Sequence, residues 1–246
     1  GASALSTAVI CEAIASRLMV SKFLARLKSR ASETQSELTI KEIIKFYYPL
    51  ALTSLLTLGI QPFVTFFIGQ SRMPLESFAV MPVVTSFVFL FRGLGLSYQE
   101  VVVALIGDNM SGFDQLKRFA VKLAFILASG LILIAFTPLA EIWFRDVSGL
   151  SESLTEFAKL PLKIMSFFPA LTVLISFQRA VLVKANETKQ ITYGTAIEFV
   201  GIILVVAICI KYFSLVGAVA ATIAFVLGRM AACGYLLPPT ISSLKK

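Results

Sequence analysis

The chain has 246 residues, 57% of them hydrophobic and 15% charged, with a mean hydropathy of +0.87. A soluble domain carries about 25% charged residues, so the composition excludes an ordinary soluble enzyme and indicates an all-α, polytopic transmembrane helical bundle in a lipid bilayer. The formal charge of +8 raises the question of nucleic acid. However, the basic residues cluster between apolar runs and the aromatic residues lie within those runs. That pattern orients a chain in a membrane and offers no base-stacking platform, so no nucleic-acid partner is expected.

Gly1–Val20 reads as a small-residue helix suited to close packing, interrupted by Glu12 and Arg17. It lacks the basic n-region of a secretory signal, and residues 1–24 are expected to be the last helix of a preceding lobe. Residues 25–45 read as a cytoplasmic linker whose flexible part, and the boundary, fall at Ser32–Ser36. Residues 46–240 then form a six-helix lobe, and 241–246 a cytoplasmic tail. The first span of the lobe, Phe46–Gly69, carries Pro49, Gln61 and Pro62. The second, Phe78–Gly107, carries Arg92 beside Gly93 and Gly95, followed by Gln99 and Glu100. Phe119–Phe136 is the third. The fourth, Lys159–Ala185, is uncharged from Ile164 to Phe177, contains Pro161 and Pro169, and ends in a basic cluster of Arg179 and Lys184. Ile191–Ile210 carries Glu198, and Val216–Leu237 carries Arg229. With the opening helix this makes seven spans.

If the linker is cytoplasmic and the spans alternate, inward segments hold thirteen basic residues, Arg179 among them, and outward segments five. This satisfies the positive-inside rule. It places the C-terminus in the cytoplasm and fits a multi-pass protein of the plasma (inner) membrane.

Ionisable residues inside spans are candidates for function, because each is costly to hold there. At ~1.5 Å per residue, Glu198 and Arg229 lie ~10 and ~12 Å from the inner face on consecutive helices. An ion pair between them is therefore easy, and such a pair is often structural. Glu100 and Glu12 fall at similar inner depths. Arg92 sits ~20 Å up, level with Gln61. A guanidinium beside two glycines suits bidentate recognition of a phosphate or carboxylate approaching the backbone; the alternative is an arginine reaching outward to headgroups. Arg92, Gln61, Glu100, Glu198, Arg229 and Arg179 are thus the candidate substrate-binding residues. Pro169 deletes one backbone hydrogen bond and frees the Met165 carbonyl, which points either to a moving joint or to a static kink. Pro49, Pro62, Pro161 and Pro169 are the candidate hinges. There is no histidine, and no Walker loop, catalytic carboxylate pair or metal-spaced ligand set. The chain is accordingly read as a non-enzyme with no cofactor and no metal. Cys11, Cys209 and Cys233 are far apart in apolar runs, where cysteine acts as a small hydrophobe.

Six helices with prolines in the first and fourth and charges buried mid-span resemble one lobe of the MATE-type (multidrug/oligosaccharidyl-lipid/polysaccharide) exporter superfamily. Three stretches, FYYPLALTS at Phe46–Ser54, PLKIMSFFP at Pro161–Pro169 and YFSLVGAVAAT at Tyr212–Thr222, resemble the progressive ankylosis protein family. The resemblance covers about Ile40 to Leu237. It implies a two-lobe, twelve-helix transporter working by alternating access, of which this chain holds the C-terminal lobe and the last helix of a missing N-terminal lobe. Vertebrate members of that family are associated with export of pyrophosphate, ATP and citrate, so a small anionic solute is the implied partner. No substrate ligand carries over by identity.

Four functions follow. The first is a secondary active transporter exporting a small polyanion such as pyrophosphate, nucleotide or citrate, with buried arginines as counter-charges. The second is H⁺- or Na⁺-coupled efflux of organic cations with Glu100 or Glu198 as the coupling carboxylate. A lipid-linked saccharide flippase is the third, and a non-transporting membrane scaffold whose charges only specify helix pairing is the fourth.

Overall fold

The computed structural model describes residues 2–30, 40–107 and 110–243, without the side chains of residues 2, 4, 5, 22–30, 41–43, 45 and 46. The linker expected at Ser32–Ser36 lies outside the described residues, as do Lys245 and Lys246. The chain divides into two units, Gly1–Ile44 and Lys45–Lys246. In the first, α1 runs unbroken over Ala2–Arg30, rich in the alanine, leucine, lysine and arginine that favour helix. Residues 25–30, read from sequence as linker, therefore belong to this helix, and α2 already begins at Ile40.

α2 (Ile40–Gly69), which belongs to the second unit from Lys45 onward, is followed by α3 (Pro74–Leu105), α4 (Phe113–Ala135) and a short α5 (Leu139–Glu141). A π-helical turn at Ile142–Val147 leads to α6 (Glu152–Met165), α7 (Phe168–Lys184), α8 (Thr188–Lys211) and α9 (Gly217–Ser243). Six helical segments among the described residues are long and apolar enough to cross a membrane: Tyr47–Gly69, Pro74–Leu105, Phe113–Ala135, Glu152–Lys184, Thr188–Lys211 and Gly217–Ser243. The protein is an all-α, multi-pass integral membrane protein. Most helices outrun the apolar stretches that mark them; α4, for example, takes Asp114, Lys117 and Arg118 into its first turns.

Of the four hinge prolines, only Pro169 coincides with an interruption. The fourth span is two helices, broken at Ser166–Phe167, with Pro169 in the first turn of α7. A proline fits there because the first helical amides have no partner to lose. The Ser166 hydroxyl and amide both donate to the Lys163 carbonyl, at 2.7 and 3.3 Å, closing the end of α6. Pro161 lies inside α6, and α2 continues as helix through Pro49 and Pro62. The Pro49 carbonyl accepts from the Thr53 and Thr192 hydroxyls at 2.9 and 2.8 Å, which ties this turn of α2 to α8.

Without a hydrophobic force between helices in lipid, packing depends on how closely backbones approach. The α8–α9 contact shows this best. Gly201 faces Gly228, and a Cβ on Gly228 would lie 2.5 Å from Ile202 Cγ1 and 3.1 Å from the Glu198 carbonyl. One end of the same seam seats Leu236 against Gly194, and Ala218, Ala221, Ala224 and Ala232 on α9 are all fully buried. Between α3 and α7, Gly95 plays the same part, its position for a Cβ lying 3.1 Å from Val173. The core fills the space among α3, α6, α8 and α9 with Val80, Val84 and Val88, Leu162 and Met165, Ile202 and Val206, and Phe225. The α2–α3 loop and the first turn of α3 are tied to the start of α9, since Gly217 N–H donates to the Arg72 carbonyl at 3.3 Å and Ala218 N–H to the Ser77 hydroxyl at 3.0 Å. Lys159 of α6 bridges Glu141 of α5 and Glu156; this ammonium holds the Glu141 carboxyl below the usual carboxylate range.

Gly228→Leu is expected to destabilise the protein by at least the ~1–3 kcal/mol typical of overpacking, read as a lowered Tm in detergent. Gly234→Ala, where a new Cβ meets nothing within 4 Å, is expected to leave Tm unchanged.

Candidate functional site

The two glycine seams converge on one place. Gly228 brings α9 against α8 so closely that the next residue, Arg229, reaches Glu198 with Nε 2.7 Å from Oε1. The pair expected from depth alone therefore forms, and Glu198 is 3% exposed. A second guanidinium, Arg179 of α7, places Nη2 3.7 Å from the other carboxylate oxygen and donates to the Thr195 hydroxyl at 3.0 Å. Arg179 thus leaves the inward basic segment to which the sequence assigned it, because α7 continues past it through buried Val181 and Leu182. Among the described residues, Arg179 Nε and the adjacent Gln178 Oε1 are buried without a hydrogen-bond partner. Gln178 Nε2 meets the Cys233 carbonyl at 3.0 Å.

The Gly95 seam delivers the third arginine. Arg92 lies about one turn before Gly95, and its Nε donates to the Thr172 hydroxyl at 3.3 Å. Its guanidinium sits over the Phe168 ring, 4.6 Å from the centroid. Arg229 lies over the same ring at 5.1 Å. Arg92 therefore turns into the bundle and not outward to headgroups. No carboxylate pairs with it among the described residues. Phe168, buried directly after the break that precedes α7, presents its π-electron ring to two cations that would otherwise repel each other.

These side chains border a cavity of about 220 Å³ lined by Thr57, Ile60, Gln61, Thr85, Arg92, Met165, Phe168, Glu198, Ile202, Phe225 and Arg229. Thr57 and Gln61 of α2 are exposed, whereas Met165, Phe168 and Ile202 are buried, so the cavity opens on the α2 side. Of the six candidate residues, Gln61, Arg92, Glu198 and Arg229 line it, and Arg179 stands behind Glu198. Glu100 is not brought in: it is exposed on α3, two residues from each of buried Tyr98 and Val102, and the helical turn directs it elsewhere. Phe168, Thr172 and Thr195 were missed because nothing in their chemistry stands out from an apolar helix; only the position of Phe168 next to Pro169 sets it apart.

The arrangement has a definite charge. Guanidinium keeps its proton in proteins, so Arg92, Arg179 and Arg229 against the single carboxylate of Glu198 leave an excess of positive charge in a membrane interior. Such a site suits an anion held by forked N–H donors. The fold and site together define a polytopic α-helical membrane protein with a cationic cavity inside its bundle. The chain matches no protein-family model, and neither a curated protein nor a solved structure is detectably similar to it.

Arg229→Met strips Glu198 of its closer partner and is expected to cost ~3–5 kcal/mol, while adding Glu198→Gln recovers part of the loss. Unfolding of the single and double variants in detergent measures this coupling, and an Arg229→Met protein as stable as the parent would contradict it.

Proposed function

We propose that this chain is the C-terminal lobe of a secondary active transporter that exports a small polyanion, such as pyrophosphate, a nucleotide or citrate. The observation that carries the reading is the cavity with an excess of guanidinium over carboxylate. Scaffolding alone needs charges that cancel, as Glu198 and Arg229 would by themselves. Arg92 and Arg179 go beyond that need, and a membrane protein holds unbalanced charge at a cost, which a bound anion removes.

The resemblance to the progressive ankylosis family and the MATE-type superfamily supports the same reading and supplies the mechanism: a second helical lobe rocks against this one around a site near the bilayer midplane. The broken α6–α7 helix bordering the cavity is the kind of element such transporters use. The orientation that accompanies this reading is an inner-membrane protein with its C-terminus in the cytoplasm, which the distribution of basic segments supports. Efflux of organic cations is less well supported, since Glu198 is already paired to two guanidiniums and Glu100 lies off the cavity.

Proteoliposomes containing the intact protein should take up labelled pyrophosphate or citrate against an imposed gradient. Arg92→Gln should raise the half-saturating concentration roughly tenfold to a hundredfold, the loss of a charge-assisted hydrogen bond of ~1.5–3 kcal/mol. Glu100→Gln should leave flux unchanged. No anion flux in the parent protein, or equal flux in Arg92→Gln, would refute the proposal.

A further inference from the structure

α8 turns two faces to two different recesses. Glu198 and Ile202 line the cationic cavity, whereas Ile197, Val200, Gly201 and Leu204 line an apolar groove of about 550 Å³ along the α8–α9 seam. α9 supplies the other wall through Ala231 and Tyr235. Gly201 and Ala231 are too small to fill the space between the helices. The rims formed by Val200 and Leu204 are half exposed, at 50% and 55%. In a bilayer this surface faces acyl chains.

The groove has a polar end and an apolar end. Tyr193 and Tyr235 both stand at the end near the start of α8, and the Tyr235 hydroxyl donates to Gln190 Oε1 at 2.8 Å. Tyrosine favours the level of lipid headgroups, where its ring is in hydrocarbon and its hydroxyl is wet. Lys189 lies one helical turn before Tyr193, on the face of α8 that continues through Ile197, Val200 and Leu204. It is exposed, and among the described residues no ion pair uses it. Its stem can follow the helix while the ammonium reaches the headgroups. Lys184, Glu187 and Lys189 together leave this end of the helix with a net positive charge.

Length separates a lipid from a protein partner. At ~1.5 Å per residue the groove runs ~16 Å from Tyr193 to Leu204, about half the ~30 Å hydrocarbon core. That is the depth of one leaflet, which a single acyl chain spans. A second transmembrane helix would lie along the whole seam, and it would bring no anion to Lys189.

We propose that the α8–α9 groove is a binding site for one anionic phospholipid. One acyl chain lies over Gly201 between Val200, Leu204 and Ala231, the tyrosine pair meets the glycerol level, and Lys189 holds the phosphate. The site is separate from the cationic cavity. Because it lies over the seam that presses α9 to α8, the bound lipid braces the two helices that carry Glu198 and Arg229.

The test is native mass spectrometry of the full chain released from detergent, titrated with phosphatidylglycerol or phosphatidylcholine carrying the same palmitoyl and oleoyl chains. Wild-type protein should hold one phosphatidylglycerol roughly fivefold more tightly than phosphatidylcholine, the effect of one lysine near an anionic headgroup. Lys189→Gln should bind both lipids equally, while Lys117→Gln, an exposed lysine on α4, should keep the preference. Ala231→Phe, which fills the groove, should weaken both lipids roughly tenfold, the loss of about two buried methylenes. Phosphatidylglycerol should also raise Tm more for wild type than for Lys189→Gln. Equal binding of the two lipids by wild type overturns the proposal, as does a preference that survives Lys189→Gln or is lost equally in Lys117→Gln. A wild-type dimer that holds no lipid and that Ala231→Phe separates would make the groove a seat for a second copy, and would overturn it too. Both lysines are exposed, so their comparison decides the matter even if Ala231→Phe does not fold.

Discussion

A carboxylate in the middle of a membrane helix has to be met by a cation, and the way Glu198 is met organises this protein. Arg229 reaches it from α9 and Arg179 from α7, so one side chain fixes three helices in depth and rotation. An error of one residue in the placement of α9 would turn Arg229 by about 100° and leave two charges stranded. Helix packing in lipid is otherwise poorly directional, because one apolar surface is much like another. The ion pair supplies the register, and the surrounding apolar core fills in around it.

The pair forms only because the backbones come close enough. Gly201 and Gly228 face each other, and a methyl group at Gly228 would collide with Ile202 and approach the carbonyl of Glu198 itself. Gly95 does the same for α3 and α7, and thereby brings Arg92 to Thr172 and Phe168. Glycines and arginines thus form one device: small residues allow the approach, and charged residues about one turn or less away use it. Thr172 and Thr195 complete the arrangement. Each accepts from a guanidinium while donating to the backbone carbonyl one turn earlier, so neither hydroxyl is left over.

Depth along a helix was readable from the sequence, and direction around it only in part. Counting residues from the span ends put Glu198 and Arg229 at one level on consecutive helices, and these two meet. The same counting put Glu100 beside them, yet α3 carries it on a different side from Arg92. The positions of Val88, Arg92, Gly95, Tyr98 and Val102 already trace one face at spacings of three and four residues, and Glu100 falls off that face. Arg179 lay inside the fourth span as read from the sequence, yet was counted with the inward basic segment because it opens the basic cluster at that span's end. The buried Val181 and Leu182 beyond it show that this stretch of α7 is still inside the bundle. The break at Ser166–Phe167 was legible as a consequence of Pro169, whereas Pro49, Pro62 and Pro161 show that proline in a membrane helix does not by itself end it.

Phe168 joins the break to the charges. It is the first residue of α7, its ring lies against both Arg92 and Arg229, and its carbonyl accepts from Thr172. The ring belongs to the same apolar core as Leu162 and Met165 of α6. Moving the ring alters the separation of the two guanidiniums it faces, and with it the field in the cavity. The interrupted helix thus sets the first residue after its break directly against two of the cations that line the cavity, with no separate element between the break and the charges.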